Sequence, residues 1–170
     1  MANVLFLVGS LREGAFSAEL AKSAEKALEG KATVSYLDWK DVPVFSQDLE
    51  ADAPAAVKAA RAAVLAADAI WIFSPVYNAG IPGSVRNLLD WLSRALDLSD
   101  TTSVSAINEK VVTVSISSFA HQDEAAVEYR KLLPFIRTSL VDEFTLATIG
   151  APVDDAQLAK QADALLAAIN

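Results

Sequence analysis

Two stretches of this chain, about sixty residues apart, carry side chains able to hold a ligand. The first reads GSLREGAFSAEL from Gly9. Its glycines permit tight turns, the hydroxyls of Ser10 and Ser17 can donate hydrogen bonds, and the Arg12 guanidinium can pair bidentately with an oxyanion. Where such a loop opens a helix, unpaired N–H groups and the positive end of the helix dipole favour a phosphate. The second stretch, SPVYNAGIP from Ser74, offers the flat ring of Tyr77 and the amide of Asn78 on a backbone stiffened by Pro75, with Val76 between. Free N–H groups in such a loop can meet the polar edge of a heterocycle. A phosphate on one loop and a flat ring on the other describe a mononucleotide. Plainer roles exist for the same residues: Ser17 as an N-cap, Arg12 as a solvated cation, Tyr77 as packing and Asn78 as a turn cap.

These stretches are useful only if the fold brings them together. Apolar, mostly β-branched or aromatic runs at Val4–Val8, Thr33–Leu37, Ala69–Phe73, Val111–Ile116 and Leu140–Ile149 read as five strands. Between and after them, helical periodicity covers Phe16–Leu28, Pro54–Ala67, Pro82–Leu96, Asp123–Arg137 and Asp154–Ile169. Pro54 and Pro82 suit first-turn positions, Asp123 and Asp154 suit helix starts, and Gly30 suits a stop. Strict βα alternation predicts an α/β three-layer sandwich: a five-stranded parallel sheet with helices on both faces, in the flavodoxin-like order 2-1-3-4-5. In that order the switch point lies between strands one and three, so both ligand loops face one crevice at the strands' carboxyl ends. The loop after strand four, Ser117 to Gln122, lies beside them. One domain over residues 1–170 is expected, with Asp97–Asn108 as a polar surface loop.

Composition removes several alternatives. The chain has no cysteine, which excludes thiol catalysis, thiolate metal sites and disulfide redox within it and suits a reducing, cytoplasmic setting. One histidine and no cysteine do not make a metal site. A net charge of -8 without a Lys/Arg cluster argues against nucleic acid, and no apolar run is long enough to span a membrane. Met1–Ser10 reads as a first strand rather than a targeting segment. Neither GxxxxGK[ST] nor GxGxxG is present, which disfavours a triphosphate or a dinucleotide bound in the Rossmann manner. A mononucleotide remains, and the flavin FMN has the required shape.

GSLREGAFSAELA, followed by SPVYNAGIPGSVRNLLDWLSR, resembles the NAD(P)H-dependent FMN reductase family of flavodoxin-like proteins, which includes quinone and chromate reductases. The resemblance implies noncovalent FMN, its phosphate near Ser10, Arg12 and Ser17 and its ring near Pro75, Val76, Tyr77 and Asn78. Two departures stand out. The family's first loop usually reads GSxRxxSxN, whereas Ala15 stands here at the usual serine and Ser17 at the usual asparagine. The family's glycine-rich turn after strand four is replaced by SSFAHQ, where Ser117 and Ser118 can supply hydroxyls to the ring and Phe119 can narrow the pocket. The single histidine, His121, is a candidate proton donor to a reduced quinone or a contact to flavin O2.

What the resemblance implies is an oxidoreductase: hydride from NADPH or NADH to bound FMN, then electrons to a quinone, flavin or similar small-molecule acceptor. Homodimers or homotetramers are common in the family. Two other readings stay open, a flavodoxin-like electron carrier without nicotinamide turnover and a member that has lost FMN.

Overall fold

The computed structural model describes residues 1–169; Asn170, the last residue of the expected domain, lies outside them. The strands are β1 (Ala2–Val8), β2 (Ala32–Tyr36), β3 (Ala69–Pro75), β4 (Val111–Ser118), β5 (Ser139–Leu140) and β6 (Thr145–Thr148). The helices are α1 (Phe16–Ala27), α2 (Ala55–Ala66), α3 (Gly83–Leu92), α4 (Gln122–Phe135) and α5 (Asp155–Ala168). All strand pairings are parallel, in the order β2-β1-β3-β4-β5, with β6 also on β4. The predicted order is therefore observed.

Central β3 is buried on both faces, as its unbroken apolar sequence requires. Alternate side chains divide the core. Leu5, Leu7, Ile70, Ile72, Val112 and Val114 pack with α2, α3 and α4, while Val4, Phe6, Trp71 and Phe73 pack with α1 and α5.

The expected fifth strand is two strands. β5 pairs with Val111–Val112 and β6 with Ser115–Ser118, and the register offset grows by two residues between them. The Val141 N–H still donates to the Val112 carbonyl of β4 at 2.8 Å, but residues 142–144 leave the ladder, where polar groups find partners elsewhere. Arg130 binds the Asp142 carboxylate at 2.6 Å, and Thr113 Oγ1 donates to the Glu143 carbonyl at 3.0 Å. Helix boundaries also differ. α3 ends at Leu92, not Leu96, where the Ser93 hydroxyl bonds back to the Asp90 carbonyl. Pro54 and Pro82 stand one residue before their helices rather than inside the first turn. α4 begins at Gln122 behind His121, one residue before the expected Asp123.

No helix among the described residues is long and apolar enough to cross a membrane, and no group of three metal-ligating side chains is found there.

Candidate functional site

β1, β3 and β4 deliver three loops to one half-open crevice of about 200 Å³, narrower than the about 300 to 1,000 Å³ common for ligand pockets. Ser10, Arg12 and Ser17 line it from the β1 side. Pro75, Val76 and Tyr77 line it after β3, and Ser117 and Ser118 after β4. Ala15, Phe16, Phe119 and Ile149 complete the wall. Arg12 is the one charged residue in this lining.

Close approach of the first two loops depends on Gly9. Its N–H donates to the Phe73 carbonyl at 2.7 Å, and a Cβ there would lie 2.9 Å from Val85 and 3.1 Å from Pro75. Ser10 Oγ lies 3.5 Å from the Tyr77 hydroxyl, across the crevice floor between the loops.

α1 starts without a cap: Ala15 holds the N-cap position in extended conformation and has no side chain to offer. Ser17 is thus not the N-cap but the second helical residue, buried, facing the crevice. Among the described residues three buried side-chain oxygens lack a hydrogen-bond partner, Ser17 Oγ, Ser117 Oγ and Thr138 Oγ1, and the first two line this crevice. Buried hydroxyls are ordinarily satisfied, so two orphans facing one cavity mark a place for a polar ligand. The first N–H groups of α1 likewise have no intrahelical acceptor. Arg12, exposed at the rim, donates to the carbonyls of Glu13 and Gly14 at 3.2 Å each and lies over the Phe16 ring. The donor set at this end, hydroxyls, helix N–H groups and a guanidinium, suits a phosphate; the Tyr77 side suits a flat ring. These residues fit a flavin mononucleotide.

Two predicted residues lie elsewhere. Asn78 is exposed at the corner of a tight turn closed by reciprocal Tyr77–Gly80 bonds of 3.1 Å, and it does not line the crevice. Its φ of 51° and Ala79's φ of 59° are left-handed, as a two-residue hairpin turn demands, so the amide contributes a turn conformation. His121 is also outside the lining: its Nδ1 is 2.9 Å from Glu124 Oε1, and this bond holds the Glu124 carboxyl below its usual range. His121 takes φ 64° at the head of α4, so the turn after β4 keeps a left-handed residue although no glycine is there.

Phe16 and Phe119 meet edge to face across the mouth, with ring centroids 6.3 Å apart. Phe16, expected only as a helix start, has a usable signal in the sequence, an aromatic directly after a glycine loop. Ile149 has none, because it follows β6, the second half of a stretch that reads as one strand. Behind the second loop, the buried Tyr129 hydroxyl donates to Ser74 Oγ at 2.8 Å, and burial pushes its ionisation above the ordinary tyrosine range.

Residues 2–151 match the family described as NADPH-dependent FMN reductase. The chain is 30% identical over 158 residues to a quinone reductase of Escherichia coli strain K12, spanning 89% of this chain and 80% of that protein. It is 33% identical over 91 residues to the 2-hydroxy-1,4-benzoquinone reductase of a Burkholderia species, covering 54% of this chain and 50% of that protein. Its backbone superposes on the flavoenzyme NAD(P)H:(acceptor) oxidoreductase FerB of Paracoccus denitrificans with a TM-score of 0.81 at 23% identity, covering 99% and 97% of the two chains. That last likeness is one of fold.

Proposed function

The chain belongs to the NADPH-dependent FMN reductase family, and from that premise we propose that its crevice holds FMN between the loops after β1, β3 and β4 and serves reduction of quinones. The observation that carries this reading is the pair of orphaned buried hydroxyls, Ser17 Oγ and Ser117 Oγ, facing one cavity whose only charge is Arg12. Ser10, Arg12, Ser17 and the N–H groups opening α1 hold the phosphate. Arg12 exchanges its two neutral carbonyl partners for a charged one, a stronger bond. Pro75, Val76 and Tyr77 form one wall for the ring, and Ser117 and Ser118 supply hydroxyls at its polar edge.

FMN supplies hydride acceptance from NAD(P)H and electron delivery to an acceptor. The protein binds, orients and shields. This is consistent with a crevice lining that contains no histidine, carboxylate or thiol. Phe16 and Phe119 screen the mouth from water. Quinones enter as acceptors through the names of the relatives. We read the enzyme further as one cytoplasmic domain that forms a homodimer or homotetramer, supported by the cysteine-free composition and by Phe119 and Phe135, exposed at 74% and 83% beside and along α4.

The test is titration of apoprotein with FMN, followed by quenching of flavin fluorescence, and then anaerobic addition of NADPH or NADH. Binding and loss of the visible flavin band are expected. Arg12→Ala should weaken FMN roughly tenfold, a charged hydrogen bond being worth about 1.5–3 kcal/mol, and leave riboflavin, which lacks the phosphate, unaffected. Equal FMN affinity in the variant would sink the phosphate assignment. A bound flavin that neither nucleotide reduces would favour the electron-carrier reading.

A further inference from the structure

α4 grips the second ligand loop at two places, and only one of them is explained by the core. Tyr129 holds the root through Ser74. Its neighbour Glu128, on the exposed side of α4, holds the exit: Glu128 Oε2 accepts the Ile81 N–H at 3.0 Å. Between these anchors stands the Tyr77–Gly80 hairpin, which places Tyr77 at the crevice and keeps Ala79 in the left-handed region. A left-handed alanine costs roughly 1–2 kcal/mol, so the hairpin needs outside support.

Gly80 completes the arrangement. Its φ is not left-handed, so the backbone there does not call for glycine. A Cβ at Gly80 would instead lie 2.8 and 2.9 Å from the two Glu128 carboxylate oxygens. The carboxylate sits directly against the bare Cα, and any side chain would push it off the Ile81 amide. Glu128 forms no ion pair among the described residues, although Arg86 and Lys131 border the same groove. Its partner is the loop.

We propose that Glu128 is a positioning residue for the FMN site: seated on Gly80 and bonded to the Ile81 amide, it fixes the hairpin and through it the place of the Tyr77 ring. This rests on the FMN reading of the crevice, but the tether itself can be read without flavin. In apoprotein, amide exchange at Ile81 should rise about tenfold in Glu128→Ala and stay slow in Glu128→Gln, whose side-chain carbonyl still accepts the bond. The Tyr77 ring resonances should move in the first variant and not in the second.

FMN affinity should fall roughly fivefold in Glu128→Ala, one hydrogen bond's worth, and by a similar factor in Gly80→Ala. The double variant should be no weaker than either single one, because both changes break the same contact. Unchanged Ile81 exchange in Glu128→Ala, freed Ile81 with unmoved Tyr77 signals, or an additive double variant would each overturn the proposal. If wild-type protein binds no FMN, the reading of the crevice fails alone, and Ile81 exchange with the Tyr77 shifts still decides the tether.

Discussion

Ser115 and Ser117 stand two residues apart on the same face of β4, both buried, and their hydroxyls have opposite fates. Ser115 Oγ receives the Trp71 indole N–H at 2.9 Å and donates to Gln161 Oε1 at 2.9 Å. Ser117 Oγ has no partner. The two helices packed on this face, α1 and α5, repeat the contrast. α5 begins under a side-chain cap, Asp154 accepting the Gln157 N–H at 3.0 Å, while the N-cap of α1, Ala15, offers none. One end of this face is closed by its own polar groups; the other, at the crevice, leaves donors and acceptors open. An unmade buried bond costs about 1–3 kcal/mol, so open groups collected at a single cavity imply a ligand that completes them. Polar satisfaction thus separates structure from site more sharply than burial does.

The largest effect should come from breaking the closed end. Gln161 is fully buried and makes four bonds: it accepts from Ser115 and Thr145 and donates to Thr113 Oγ1 and the Val114 carbonyl. Gln161→Leu keeps the approximate volume but strips partners from all four groups. Urea unfolding should show a loss of about 3 kcal/mol, while the folded fraction keeps its FMN affinity. A loss below about 1 kcal/mol would mean that the network adds little to stability.

The two serines test the contrast directly. Ser115→Ala leaves Trp71 Nε1 without its acceptor and should cost about 2 kcal/mol of stability, with FMN binding unaltered. Ser117→Ala removes a group that has no partner to lose, so unfolding should be unchanged or shifted up by as much as about 1 kcal/mol, with FMN roughly fivefold weaker. Equal stability losses in the two variants would erase the distinction between the regions.

Much of this was readable in the residues. Period-2 and period-3.6 patterns delivered the strand order, and the strand order delivered the crevice, because both ligand loops follow strands that flank the switch point. Hidden features depended on contacts distant in sequence. The break in the fifth strand follows from Arg130 and Thr113 capturing Asp142 and Glu143, partners 12 and 30 residues apart in the chain. Asn78 looked like a ligand amide because its type is right, but its φ of 51° makes it a turn former. Ser17 is ambiguous for the same reason, since two residues of shift in a helix start separate a cap from a group left without a partner.

The smallest effect is the most discriminating for α1. Ala15 has the extended backbone of an N-cap and lines the crevice, so Ala15→Ser adds a hydroxyl where it can accept from the uncapped helix or donate into the cavity. A cap alone stabilises by about 0.5–1 kcal/mol and would consume the hydroxyl's acceptor lone pair while leaving its proton free. The proton can then reach an oxyanion, so thermal stability and FMN affinity should rise together, the latter roughly threefold, the scale of a weak neutral hydrogen bond. If stability rises and FMN weakens, the helix N-terminus and the ligand compete for the same group, and the open start of α1 is the feature that the phosphate requires.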